Sequence, residues 1–286
     1  MNCSTFAEAI NQAGLGFPHI IADGQIHRFR TPEDKGSKKS GWYVCHGDAG
    51  AFGDWRTGSK INWRSGRKSD PADRKLLAEL AAKEKHKRRA EERARHEKTA
   101  IDALALWSQA GPAMWSDYLK QKRVLPLGLR QKNNLLVVPM YDVDGKLWNC
   151  QTIRPDGTKR FLKGGRKKGC FYRIGEKPGN KFYIAEGFST GATVHMHLDA
   201  HATVFIAFDA GNLKPVAEAL RLRYPAAEIV IAADNDCWKS VNTGLTKARA
   251  AAAAVGGSLL YPTWEDVDIG DSKPTDFNDL HRLGGL

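Results

Sequence analysis

The sequence predicts an α/β fold, α+β taken as a whole: a parallel sheet with helices on both faces, preceded by a basic antiparallel-β subdomain and a small β-rich N-terminal module. Three observations lead there. Apolar runs at residues 182–185 (FYIA), 203–208 (TVFIAF) and 229–233 (IVIAA) alternate with helix-like stretches, the pattern of a parallel sheet. Residues 135–153 instead read as two strands around an Asp144-Gly145 turn, and Pro155-Asp156-Gly157 turns the chain again. The first seventy residues mix strand-like runs at 26–29 and 41–44 with turn and aromatic signals at 50–55. The expected divisions are an N-terminal module at 1–70, a charged helical linker at 71–105, a basic subdomain at 106–178, and the parallel-sheet domain with an acidic tail at 179–286.

In the N-terminal module, Trp42, Trp55 and Trp63 lie among Arg28, Arg30, Lys38, Lys39, Arg56, Lys60 and Arg64. That composition suits a platform on which single-stranded bases stack. Aromatics also dominate small cores, and most of these are expected inside. The five cysteines stand singly with no C-x-x-C, so neither a disulfide framework nor a zinc ribbon is expected, and Cys45-His46 reads as a strand end.

Asp70-Pro71 opens an alanine-rich, charged stretch as a capped helix opens. Apolar positions return at Ile101, Leu104, Leu106, Trp107 and Trp115, where the helices are expected to dock. Residues 240–256 read as another alanine-rich helix and 258–261 as a further strand. No apolar run reaches membrane-spanning length, and the N-terminus lacks the pattern of a signal peptide, so no membrane partner and a cytoplasmic location are expected.

Each apolar strand of the parallel sheet ends in acid: Glu186 after the first, Asp209 after the second, Asp234 and Asp236 after the third. Ligands of open α/β sheets bind at the carboxyl ends of the strands. Crowded carboxylates raise one another's pKa unless a cation neutralises them, and hard oxygen ligands suit Mg²⁺. The one-residue spacing of Asp234 and Asp236 turns both side chains to one side of an extended backbone. Residues 159–181 add nine Lys or Arg against one acid, Glu176, within a chain of net charge +12. Basic residues beside an acidic metal-type site are the pairing that phosphoryl transfer needs.

A strand ending in Glu-Gly, a helix, and an apolar strand ending in D-x-D about fifty residues later resemble the Toprim domain of bacterial-type primases, topoisomerases and some nucleases. The stretches AEGFSTGA, VFIAFDAGNL and IAADND, with DGQIHRFR, GWYVCH and GAFGDWRTG near the N-terminus, resemble primases of phage and conjugative plasmids. The resemblance implies that Glu186 is the catalytic acid or base and that Asp234 and Asp236 bind the metals. Many relatives carry a further acid where this chain has Ser189 and Thr190. Asp276, in the closing stretch PTDFNDL, is the candidate for the missing carboxylate, followed by Asp209 and Asp271. An Asp there also reads as the cap of a last helix. The order of elements from 135 to 175 resembles the N-terminal subdomain of the primase core, which implies that Arg154, Arg160 and Lys168, with Lys163, Arg166 and Lys167 in the same basic stretch, hold template and triphosphate phosphates.

The resemblance therefore implies a DNA primase, a DNA-directed RNA polymerase and nucleotidyltransferase that joins ribonucleotides into short primers on single-stranded DNA. Its implied cofactor is Mg²⁺ or Mn²⁺, held by Glu186, Asp234 and Asp236 with Asp276 or Asp209, and no zinc. Its implied partners are a single-stranded DNA template, ribonucleoside triphosphates and, as a candidate, a replicative helicase, since no Walker-type motif is present. The rival readings are a Toprim nuclease, which needs no nucleotides, and a non-catalytic single-stranded DNA-binding module, whose binding survives loss of the carboxylates.

Overall fold

The computed structural model describes residues 5–65, 71–175, 179–239 and 242–286. Contacts divide the chain into two compact units, Met1–Ala90 and Glu91–Leu286. Asp70, Glu176, Lys177 and Ser240 lie outside the described residues.

In the first unit, helix α1 (Phe6–Gln12) is closed at its start by a capping box between Thr5 and Glu8. Strands β1 (His27–Phe29), β2 (Gly41–His46), β3 (Ala49–Asp54) and β4 (Ser59–Arg64) form an antiparallel sheet in that order. The glycines of β3, which read as a turn signal, are strand residues here because space forbids anything larger. A Cβ on Gly50 would meet the Phe6 ring at 2.6 Å, and one on Gly53 would meet the Ser59 carbonyl oxygen at 1.9 Å. Phe6, Ile10, Tyr43, Cys45 and Phe52 make the core, with Trp63 packed against it. Trp63 alone of the three packs on that core; Trp42 is buried on the opposite face beneath Trp55, which stands 58% exposed.

Helix α2 covers Pro71–Gln109. In the second unit, Ala103 of α2 and Ala110, just past its end, pack with Val137 and Cys150, flanked by Leu106 and Trp107. Ile101 (71%), Leu104 (56%) and Trp115 (62%) are instead exposed, which corrects the expected docking face. The small alanines let the helix lie close to the sheet, Leu106 and Trp107 pack beside them, and Ile101 and Leu104 stay largely exposed. Strands β5 (Gly111–Pro112), β6 (Arg130–Lys132), β7 (Leu135–Tyr141), β8 (Leu147–Ile153) and β9 (Lys159–Phe161) form an antiparallel meander in chain order, with α3 (Asp117–Lys122) between β5 and β6. Gly145 and Gly157 take the positive φ that their turns require.

The second sheet of this unit holds β10 (Tyr172–Ile174), β11 (Lys181–Ala185), β12 (Thr203–Ile206), β13 (Glu228–Ala232) and β14 (Ser258–Leu260), in the order β10-β12-β11-β13-β14. β10 is antiparallel to β12, and the other pairings are parallel. Helices α4 (Phe188–Thr193, continued as a π-turn over Val194–Leu198), α5 (Ala210–Arg223), α6 (Thr243–Val255) and α7 (Phe277–Arg282) complete it. Past their first residues, Lys181, Thr203 and Glu228, the central strands are apolar because both faces are buried. Phe182, Ile184, Phe205, Ile229 and Ile231 face α5 and α6. Tyr183, Ala185, Val204, Ile206 and Val230 face α4, α7 and side chains of β7 and β8. Helices therefore cover both faces, and the antiparallel sheet shares the second core.

Gly191 fixes how closely α4 sits on this sheet. A Cβ there would lie 2.1 Å from Ile206 Cδ1 and 3.1 Å from Val204 Cγ1. Gly191→Ala is expected to destabilise the protein by about 2 kcal/mol through overpacking, read as a lower midpoint in urea with an unchanged slope. Among the described residues no helix is long and apolar enough to cross a membrane.

Candidate functional site

β12, β11 and β13 are neighbours running the same way, so the residues that follow them emerge side by side at one edge of the sheet. Glu186 directly follows β11, Asp209 lies three residues beyond β12, and Asp234 and Asp236 follow β13. The strand read as extending to residue 208 stops at Ile206. Phe208 instead adopts the left-handed region, φ +72°, which is costly for an aromatic side chain. That turn hands the chain to α5 with Asp209 as its N-cap residue. The Phe208 ring meets Phe161 of β9 edge-on at 6.1 Å.

The loop after β13 is held by its middle residue. Asn235 N–H donates to the Thr275 carbonyl at 2.6 Å, and its Nδ2 donates to the Pro262 carbonyl at 2.9 Å. Its Oδ1 accepts from Asn242 Nδ2 at 2.9 Å, and Asn242 Oδ1 accepts from Asp236 N–H at 3.2 Å. Asn235 thus orients the two aspartates on either side and ties them to the closing stretch that carries Asp276.

The carboxylates feel one another. Burial, then the charge of Asp209, pushes Glu186 above the usual carboxylate range, and the Ala210 N–H pulls the other way. Asp234 is shifted furthest, pushed up to about 8 by burial and then by Glu186, Asp276 and Asp236. Its Oδ1 is buried without a hydrogen-bond donor. Asp276 is raised by burial and by Asp279. It also caps α7, where its Oδ1 accepts from Asp279 N–H at 2.8 Å, and its Oδ2 accepts from Thr190 Oγ1 at 2.9 Å. The cap and the approach to Asp234 are therefore properties of one side chain. Thr190 orients it.

Among the described residues no three His, Cys, Asp or Glu side chains are gathered as a ready metal site. Several of the carboxylates take other partners: Asp236 pairs with Lys239 at 2.9 Å, Asp209 with Lys167 at 3.2 Å, and Asp276 with its own helix. The chemistry of the set nonetheless fits a hard divalent cation. It is all oxygen and mutually repelling, and its central member has a buried acceptor that no donor satisfies.

Two of the basic residues reach this edge. Lys167 does so through Asp209. Lys159, counted in the basic stretch but not singled out from sequence, has its charge beside Glu186 and Asp234 and holds both down against the burial. The signal that finds it is alternation: Lys159 and Phe161 share one face of β9, the face that meets Phe208, while Arg160 lies on the other. Arg166 is engaged locally, stacked 4.9 Å over Trp148, 3.5 Å from Asp142 Oδ2 and donating to the Lys168 carbonyl. Arg154, Arg160, Lys163 and Lys168 are exposed, and none has an ion pair with the carboxylates among the described residues. Asp271 is exposed as well.

The segment that holds all five of these carboxylates, residues 181–286, matches the family model of the Toprim domain. Residues 181–286 form a Toprim domain. Beyond that segment, the chain is 41% identical over 279 residues to a DNA primase TraC of Escherichia coli, covering 90% of this chain and 26% of that protein. It is 36% identical over 280 residues to a second Escherichia coli DNA primase TraC, covering 90% and 19%. The chain thus spans about a quarter of the length of one curated relative and a fifth of the other. Among solved structures, the primase fragment of the bacteriophage T7 primase-helicase aligns with a TM-score of 0.46 at 16% identity, over 63% of this chain and 74% of that one. In the Toprim domain of this chain, Glu186 closes the central strand and Asp234 and Asp236 close its neighbour.

Proposed function

We propose that the chain is a DNA primase that makes short RNA primers on a single-stranded DNA template, using Mg²⁺ or Mn²⁺. The observation that carries this reading is the juxtaposition at one sheet edge of a mutually repelling carboxylate cluster, Glu186, Asp234, Asp236, Asp209 and Asp276, with Lys159 and Lys167 from the antiparallel subdomain. The likeness to proteins named DNA primase over nearly the whole chain supports it.

Primer extension forms a bond between a 3′-oxygen and the α-phosphorus of a ribonucleoside triphosphate and breaks the bond to the β-phosphate, releasing pyrophosphate. A proton must leave the 3′-hydroxyl as the bond forms. Glu186, half-buried and with raised basicity, is suited to accept it. Asp234, Asp236 and Asp276 would hold the divalent ion, which supplies neutralisation of the triphosphate and a lower pKa for the attacking hydroxyl. Lys159 lies where it can meet triphosphate oxygens while limiting the repulsion among the carboxylates. The exposed cations Arg154, Arg160, Lys163 and Lys168 would follow the template backbone, with Arg166 and Lys167 at their inner end, since phosphate neutralisation supplies most sequence-independent affinity.

Lys159→Ala is expected to lower kcat/KM for nucleotide addition roughly tenfold to a hundredfold. Because Lys159 holds Glu186 and Asp234 down, its loss should also move the rising limb of the pH profile to higher pH. A profile that keeps its position would remove Lys159 from the site. The function itself is tested by incubating the protein with single-stranded DNA, Mg²⁺ and labelled ribonucleoside triphosphates. Short labelled RNA is the expected result, whereas cut DNA in the absence of nucleotides would move the assignment to a nuclease.

A further inference from the structure

The first unit leaves one face of its sheet open, and we infer that this face binds single-stranded nucleic acid by stacking a base on Trp55. Register and alternation define the face. α1 and the aromatic core occupy the side of Tyr43, Cys45 and Phe52. The other side carries the row Arg28, Trp42, Gly53 and Lys60, one residue from each strand, paired in that order. Two further rows behind it end in Asn62 and Arg64 of β4. Among the described residues of this unit no helix covers it. At the strand spacing of about 4.8 Å, Arg28 and Lys60 stand roughly 14 Å apart with the tryptophan between them.

The residues that alternate onto this face include Arg28, Lys60 and Arg64, all exposed, and no carboxylate, so its charge suits a polyanion. The strand β3 presents only Ala49, Ala51 and Gly53 there, a flat floor without projecting side chains. Trp42 lies over Gly53: a Cβ at that glycine would come within 3.1 Å of the indole Nε1. Trp55 packs obliquely on Trp42, with centroids 5.4 Å apart, and keeps 58% of its surface exposed.

The large exposed aromatic is held in place rather than loosely tethered. Trp55 N–H donates to the Ser40 carbonyl at 3.0 Å. Ser40 N–H and Thr31 N–H both donate to Asp34 Oδ2 at 2.9 Å, closing the loop that presents Lys38 and Lys39. The acids nearest this indole are neutralised, since Glu33 and Asp54 both pair with Arg56; a rigid, exposed indole beside the cations of the face is what a base-stacking site requires, and every base offers a π-face to it. The inference does not depend on the catalytic reading, because it concerns the first unit and binding alone.

The test uses the full chain without Mg²⁺ or nucleotides and follows anisotropy of labelled oligo-dT and oligo-rU of about twelve nucleotides, within the usual site size of single-strand binders. Trp55→Ala is expected to weaken both roughly tenfold, and Trp55→Phe to retain binding within about threefold. The oligo-dT and oligo-rU arms show whether DNA or RNA is preferred. Lys60→Ala with Arg64→Ala should lower the salt slope by one to two units if they touch phosphates. Photocrosslinking of halogenated uracil is expected to mark Trp55. Binding by Trp55→Ala within twofold of wild type, or crosslinks confined to residues 91–286, would overturn the inference whether or not the protein makes primers.

Discussion

Asp234→Ala is expected to reduce primer synthesis by roughly a thousandfold while the protein stays folded. Asp234 sits at the centre of the acidic edge, where Glu186, Asp276 and Asp236 all press on it, and its Oδ1 has no donor in the protein. A buried acceptor without a partner contributes nothing favourable to the fold, so removing it should not unfold the chain. Its neighbours differ in this respect. Asp236 is paired with Lys239, and Asp276 caps α7 and accepts from Thr190, so Asp276→Ala mixes lost function with about 1 kcal/mol of lost cap. Asp234 is the cleaner probe. Circular dichroism beside product quantification checks it: a folded variant within tenfold of wild-type synthesis would remove Asp234 from the reaction.

Without divalent metal, stability is expected to fall as pH rises from about 4 to 8. Asp234 has its pKa raised from the ordinary carboxylate value to about 8, chiefly by burial. Below about pH 4 the group is protonated in both folded and unfolded chains and makes no difference. Between the two values the folded protein keeps a proton that the unfolded chain has released, so each increment of pH favours unfolding. Above about 8 the whole cost of the buried charge is present. Glu186 and Asp276, also raised, add in the same sense. The melting temperature of metal-free protein should fall on the order of 10 °C across that range. Asp234→Asn should remove most of the slope and be the more stable protein at pH 8.5. Mg²⁺ at about a hundred times its Kd should restore roughly 3 kcal/mol to wild type and much less to the variant. A wild-type melting temperature that is flat or rises between pH 5 and 8 would contradict the burial and repulsion assigned to this edge.

The parts of the fold legible in the sequence were those written as patterns along one segment. The three apolar runs mark β11, β12 and β13 because strands buried on both faces have no polar alternation to confuse the reading. The acids after them mark the edge of the sheet without any knowledge of strand order. What escaped depends on residues distant in the chain. Gly50 and Gly53 look like turn residues until Phe6 and the Ser59 carbonyl are seen to occupy their Cβ positions. Ile101 and Leu104 look like a docking face until Ala103 and Ala110 are seen to make the close contact. Phe208 carries no mark of its positive φ, since the turn is imposed by the passage from β12 to α5. Lys159 is one of nine cations in its stretch; alternation puts it on the face of Phe161, and only the contact of that ring with Phe208 shows that this face meets the acidic edge. Asn235 reads as a spacer between two aspartates, whereas its long-range hydrogen bonds reach Pro262 and Thr275, and its side chain also holds Asn242.

The central claim is that this acidic edge joins ribonucleotides under the direction of a DNA strand. The most direct measurement is to supply the full chain with Mg²⁺, four ribonucleoside triphosphates and, separately, two single-stranded DNA templates of unrelated sequence, and to sequence the short RNA formed. Products complementary to each template, absent when Mg²⁺ is chelated, are the predicted result. Products that are the same on both templates, or template cleavage with no RNA, would contradict it.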